Sequence, residues 1–84
     1  MVQLQFHIGG LDQNGNFFEE TVTTRDISDW GGCFWSNKSL KIGTTLRLSG
    51  QHGFVSLIRI VWVRKRSDAE NFDIGFSFIN PLEN

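Results

Sequence analysis

The chain has 84 residues, of which 39% are apolar and 13% aromatic; that is enough for one folded domain and too little for a second core. A formal charge of −1 and a pI near 6.0 exclude the basic coat with which general nucleic-acid binders meet a phosphate backbone. A single cysteine, Cys33, excludes an internal disulfide and a cysteine-rich metal site, and reads as a small buried apolar residue.

In chain order, Val2, Leu4, Phe6 and Ile8 alternate with Gln3, Gln5 and His7, which predicts a half-buried strand. "GGLDQNGN" follows, and Asn14-Gly15 is a strong tight-turn dipeptide because both residues tolerate positive φ. "FFEETVTTR" reads as the second strand, and "GCFW" as a short apolar third. "SNKSLKIG" is a polar connection that carries Leu40 and Ile42. "TTLRLS" resumes alternation at Leu46 and Leu48, and "GQHG" turns the chain. "FVSLIRIVWVRKR" is the longest extended run, with Arg59 marking an incompletely buried face. "SDAEN" is a turn, its Asp68 and Glu70 offsetting the basic run before it. "FDIGFSFI" alternates through Phe72, Ile74, Phe76 and Phe78 until Pro81 ends the pattern.

About six short strands separated by turn signals predict an all-β fold, a barrel or a two-sheet sandwich. Closure would remove the exposed edges that such β-rich segments otherwise present. One domain over residues 1–84 is expected. No stretch approaches the ~18 apolar residues that cross a bilayer. The N-terminal "MVQLQFHIGG" lacks the basic head and apolar segment of a secretory leader, so the expected location is cytoplasmic.

Catalytic constellations are not visible. Ser28 has no sequence-adjacent base, and His7 and His52 read as surface residues. No zinc-ligand spacing and no phosphate-binding glycine loop occur. The expectation is a binding module rather than an enzyme, with no cofactor. Two segments carry binding chemistry. In "WVRKR", Trp62, Arg64 and Arg66 share one face of a strand, with Lys65 on the other; the preferred reading is a solvated strand end offset by "SDAEN", and that face is the place to look for an anionic ligand. In "TRDISDWGG", Asp26 and Ser28 lie two apart, and Gly31 and Gly32 permit positive φ or close approach of a ligand. Local chemistry alone reads the second segment as a turn whose side chains bond nearby amides.

The ordering of these segments adds to that reading. Asp26-x-Ser28-x-x-Gly31 resembles the Asp-x-Ser-x-x-Gly signature of the PilZ domain family. "GNFFEETVTTR" before it, and "LKIGTTLRLS", "LIRIVWVRKR" and "FDIGFSFINP" after it, resemble that family's strands in order, with Gly75 and Phe78 in place. The resemblance covers nearly the whole chain. It implies a six-stranded antiparallel β-barrel, bacterial origin, and a role as a receptor for the second messenger cyclic di-GMP. Asp26 and Ser28 would then contact a guanine edge or phosphate, and Gly31 would admit the ligand to the backbone.

The family's other motif, Arg-x-x-x-Arg before the first strand, does not occur in this chain. Either an upstream segment supplies it or the site works without it. Arg25, adjacent to Asp26, is a candidate for one cationic contact, but adjacent strand residues point to opposite faces, so it is not expected to substitute for the missing pair. Cyclic di-GMP binding by this chain alone is therefore expected to be weak. The expected partners are the nucleotide and a protein or adjoining domain in a bacterial signalling pathway, with no membrane. The alternative is a degenerate PilZ-like domain acting through protein contact, with Trp30, Phe34 and Trp35 as its aromatic patch. A third reading is a small barrel that binds single-stranded nucleic acid through Trp62, Arg64 and Arg66.

Overall fold

The alternating segments become six strands among the described residues: β1 (Gln5–Leu11), β2 (Phe17–Ile27), β3 (Gly31–Ser36), β4 (Thr45–Ser49), β5 (Val55–Lys65) and β6 (Phe72–Ile79). A single 3-10 turn at Gln51–Gly53 precedes β5. The computed structural model describes residues 4–67 and 70–79; Val2, Asp68 and Pro81 lie outside the described residues, as does the side chain of His52.

The strands close in the order β1-β2-β3-β6-β5-β4, and β4 returns to β1 through the pairs His7–Ser49, Ile8–Leu48 and Gly9–Arg47. Every pairing is antiparallel. The sequence pattern fitted either a barrel or a sandwich, and closure decides for the barrel. No helix among the described residues is long and apolar enough to cross a membrane.

Inward positions follow the pleat. Phe6 and Ile8, Leu46 and Leu48, Ile58 and Ile60, and Ile74 and Phe76 are two-apart pairs on four strands, and all are buried. Phe34 of β3 and Val22 of β2 complete the ring, and Leu40 adds to it from the connection before β4. Phe34 and Phe76 meet with ring centroids 5.7 Å apart, a favourable tilted contact. Asn14-Gly15 lies in the β1–β2 turn as expected: Gly15 has φ 83°, and Asp12 Oδ1 accepts the amides of Asn14 and Asn16 at 2.9 and 3.0 Å.

Two strands depart from plain pleating. The β2–β3 register shifts between Thr24 and Asp26, leaving Arg25 as an extra residue. The β5–β6 register shifts between Ile60 and Trp62, leaving Val61 extra. Such bulges bend a strand and re-aim the side chains that follow. Thr24, just before the first bulge, is fully buried. Its Oγ1 accepts the amide of Leu4 at 3.0 Å, which ties the start of the barrel to β2.

The aromatic patch expected at Trp30, Phe34 and Trp35 does not form. Phe34 is 0% exposed in the core, Trp35 is half-buried, and only Trp30, at 84%, projects into solvent. The difference sets a test. Phe34→Ala should destabilise the barrel by about 3–5 kcal/mol, because it removes an aromatic ring from a closed core. Trp30→Ala should stay within about 0.5 kcal/mol of the parent, as an exposed substitution does. Urea denaturation of both variants reads the difference directly.

Candidate functional site

The Asp26–Gly31 segment is the β2–β3 turn, and most of its polar groups are spent on itself. The Ser28 amide donates to the Gly31 carbonyl at 2.8 Å. The Ser28 hydroxyl accepts the Trp30 amide at 3.2 Å and donates to the Gly31 carbonyl at 3.3 Å. This is a serine turn, as local chemistry alone predicts. Asp26 is different: it is exposed, and its carboxylate makes no hydrogen bond to another described residue.

The glycine pair also has an internal reason. Neither Gly31 nor Gly32 adopts positive φ. A Cβ on Gly31 would overlap the Phe76 carbonyl oxygen and crowd Ser77 Cα at 2.7 Å; one on Gly32 would overlap the Asp26 carbonyl oxygen. The close approach that these glycines permit is that of the neighbouring strands β6 and β2.

Outside the barrel, the two bulges bring separate segments together. Because Arg25 is an extra residue, it and Asp26 are both exposed and line the same groove, contrary to the opposite-face expectation for neighbours in a regular strand. This groove, of about 500 Å³, runs across β2, β3, β6 and β5 and also contains Trp30, Trp62 and Arg64. Trp62 lies against the β6 backbone at Gly75, where a Cβ would overlap its Cε2 and Nε1. Gly75 therefore makes room for an indole that remains 41% exposed. The Arg64 guanidinium carbon is 5.8 Å from the indole centroid, within cation–π range.

A second groove, of about 530 Å³, adjoins the first and shares Arg25 and Arg64 with it. At its base is Asp73, paired across the strands with Trp35 on one side and Arg64 on the other. Asp73 is only 4% exposed although its position faces outward, because arginines cover it. Arg64 Nη2 donates to Oδ2 at 2.9 Å; Arg25 Nη1 lies 3.6 Å from Oδ2, and Arg66 Nη1 4.0 Å from Oδ1. The Arg64 hydrogen bond holds the Asp73 carboxyl below the usual carboxylate range; burial opposes this, and the charges of Arg64, Arg25 and Arg66 reinforce it. Two buried polar atoms here have no partner among the described residues: Asp73 Oδ1 and Trp35 Nε1. An unpaired buried group costs roughly 1–3 kcal/mol.

A third, apolar pocket of about 640 Å³ opens at one end of the barrel between Leu4, Phe6, Ile27, Phe54 and Phe78. Ser28 sits on the rim between this pocket and the first groove. Cys33 is buried, and burial pushes its thiol pKa up, with the Asp73 charge adding to the shift. A thiol held in that state is a poor nucleophile.

Of the residues singled out in the sequence, Arg25, Asp26, Trp62 and Arg64 converge, while Ser28 and Gly31 shape the turn beside them. Asp73 was not singled out. Its signal was an acid at an outward position of "FDIGFSF", in a barrel whose basic strand ends needed a partner. Compared with known proteins, the chain matches no family model, no curated protein and no solved structure.

Two predictions separate these roles. Gly31→Ala should destabilise the fold by about 1–3 kcal/mol, the usual cost of forcing atoms into a closed contact, whereas Asp26→Ala should change stability by less than about 0.5 kcal/mol. Thermal melts of the two variants check this. Asp73 has a depressed folded-state pKa, so its contribution is complete above the unfolded value of 3.8 and is lost as pH falls through the lower folded value. Asp73→Asn should therefore be less stable than the parent at neutral pH and lose less stability on acidification. Urea titrations at neutral and strongly acidic pH measure both, and parallel pH dependence in the two proteins would contradict the assignment.

Proposed function

We propose that this barrel is a regulatory binding module of PilZ type, a receptor for cyclic di-GMP that works by ligand-dependent contact rather than by catalysis. The observation that carries the reading is the outer groove in which Asp26, from the Asp-x-Ser-x-x-Gly turn, meets Arg25, Trp62 and Arg64. The barrel architecture and the order of its strands support it.

The groove's chemistry suits such a ligand. A phosphodiester is best held by guanidinium forks, whose charge is fixed and whose donors are planar. A guanine ring can stack on the exposed indole of Trp62 or on the Arg64 guanidinium plane. The free carboxylate of Asp26 can accept the N–H groups of a guanine edge. Ser28 and Gly31 act differently in this reading from the expectation. The serine hydroxyl fixes the turn and the glycine seats it against β6, so both position Asp26. The consequence of binding would be altered contact with a protein partner or adjoining domain in bacterial signalling, as in control of motility, secretion or surface polysaccharide.

Affinity should be modest. Each charge-assisted hydrogen bond is worth roughly 1.5–3 kcal/mol, and micromolar binding amounts to only about 8 kcal/mol. Without an Arg-x-x-x-Arg pair, the chain alone should bind cyclic di-GMP with a dissociation constant on the order of 100 µM or weaker. Asp26→Ala should weaken that by a further factor of about ten. Titration calorimetry tests both points. Low-micromolar affinity would overturn the weakness, and no heat at millimolar ligand would overturn the receptor reading. Trp30, projecting from the turn at 84% exposure, favours a second reading in which a protein partner takes this face without nucleotide.

A further inference from the structure

We infer that the groove over Asp73 is a phosphoryl-anion subsite, formed by Arg25, Arg64 and Arg66 beside the indole of Trp35, and that it takes the terminal phosphate of a phosphomonoester or a diphosphate. Three guanidinium groups lie within 4.0 Å of one carboxylate. One negative charge cancels one of the three, so the cluster keeps an excess of two positive charges at neutral pH. Neutralising Asp73 required fewer cations than are present.

The arginines are also unsaturated as donors. Of the three, only Arg64 reaches hydrogen-bond distance of Asp73. Arg25 and Arg66 are held at 3.6 and 4.0 Å by charge. Their side chains remain 45% and 40% exposed, and that of Arg64 64%, and all three line the groove, so donors are left over for a ligand there. Asp73 acts as a post: buried at the base, it draws three cations from β2, β5 and the segment after β5 to one point. Trp35 lines the same groove, and its buried Nε1 has no partner among the described residues, so its indole N–H signal is a reporter placed at the floor of the cluster.

A tetrahedral phosphoryl group has the oxygens to answer several donors arriving from different strands, and charge-assisted bonds to guanidinium are its strongest contacts. A terminal phosphate presents three such oxygens, whereas a carboxylate offers two in a plane and would leave part of this set unmet. The inference rests on the module reading only in that Arg25 and Arg64 wall both grooves. The ligand class follows from the arginine cluster itself.

The test is a ¹⁵N-resolved NMR titration of the full chain with pyrophosphate at low ionic strength. It is read at the indole N–H signals of the three tryptophans, with Trp35→Phe assigning the Trp35 signal. The expected result is a saturable shift of the Trp35 signal with the Trp30 signal unmoved. Arg66→Ala, which alters a residue of the second groove alone, should weaken pyrophosphate binding about ten-fold. A stationary Trp35 signal in the parent protein, or an Arg66→Ala variant that binds as the parent does, overturns the subsite. Cyclic di-GMP binding that depends on Asp26 while pyrophosphate leaves Trp35 unmoved would sink this inference and spare the module reading. A pyrophosphate response that depends on Arg66 with no response to cyclic di-GMP would do the reverse.

Discussion

Two β-bulges, at Arg25 in β2 and Val61 in β5, govern what the outside of this barrel can do. A six-stranded barrel of this size must bend its longest strands sharply, and β2 and β5, at 11 residues each, are the longest. A bulge supplies the bend by adding one residue to one strand of a pair. The added residue also resets which side chains face outward. In β2 the reset leaves Arg25 and Asp26 together on the surface; in β5 it follows Ile60 with an exposed Val61 and turns Trp62 onto the β6 backbone. Closure of the core and assembly of the outer grooves are thus one geometric event.

Asp73 is the electrostatic counterpart of that event. A carboxylate at 4% exposure bears a desolvation cost that a single surface ion pair would not offset. Here a cross-strand hydrogen bond from Arg64 and two further guanidinium charges offset it, and the lowered pKa records the balance. The arrangement differs from an ordinary surface ion pair in where the excess lies. The anion is buried and singly charged, and the three cations around it are partly exposed. Such a cluster has its anion neutralised at the base and its excess of positive charge at the rim, which is the polarity expected where a second anion is to be received.

How far the sequence could be read follows from the same geometry. Period-two alternation located β1, β4 and β6, because inward pairs such as Leu46 and Leu48, or Ile74 and Phe76, obey the pleat, whereas β2, β3 and β5 were legible from their β-branched and apolar residues. Closure could be argued only from the need to cover edges, since alternation looks the same in a sandwich. Bulges leave no such trace. Arg25 and Asp26 would face apart in a regular strand, and they line one groove because the register shifts at Arg25. Phe34 was grouped with Trp30 and Trp35 by proximity in sequence, although alternation places it on the other face from Trp35 and into the core. The Asp-x-Ser-x-x-Gly segment was legible as a motif, but the division of labour inside it was not. That Ser28 is occupied by Trp30 and Gly31, while Asp26 is free, depends on turn geometry that residue types alone do not fix. Asp73 escaped notice because an isolated acid in an apolar strand gains its meaning only from Arg25, Arg64 and Arg66, which come from other parts of the chain.

Under the proposed reading, the placement of these groups constrains how binding could be passed on. Arg25, Trp62, Arg64 and Asp73 sit on paired strands, so the backbone of the groove is preformed and the ordering cost of binding falls on the arginine side chains. The same closure leaves no unpaired edge for a ligand to shift. A ligand changes an equilibrium only by contacting two states differently, and a barrel closed through every strand offers few alternative packings. Under the proposed reading, the responsive element must therefore lie against the barrel rather than within it. The exposed face around Trp30, adjoining the groove, is where such an element could touch ligand and barrel together. The turn then has two functions that its sequence compresses into six residues: Ser28 and Gly31 hold it rigid, while Asp26 and Trp30 present its chemistry outward.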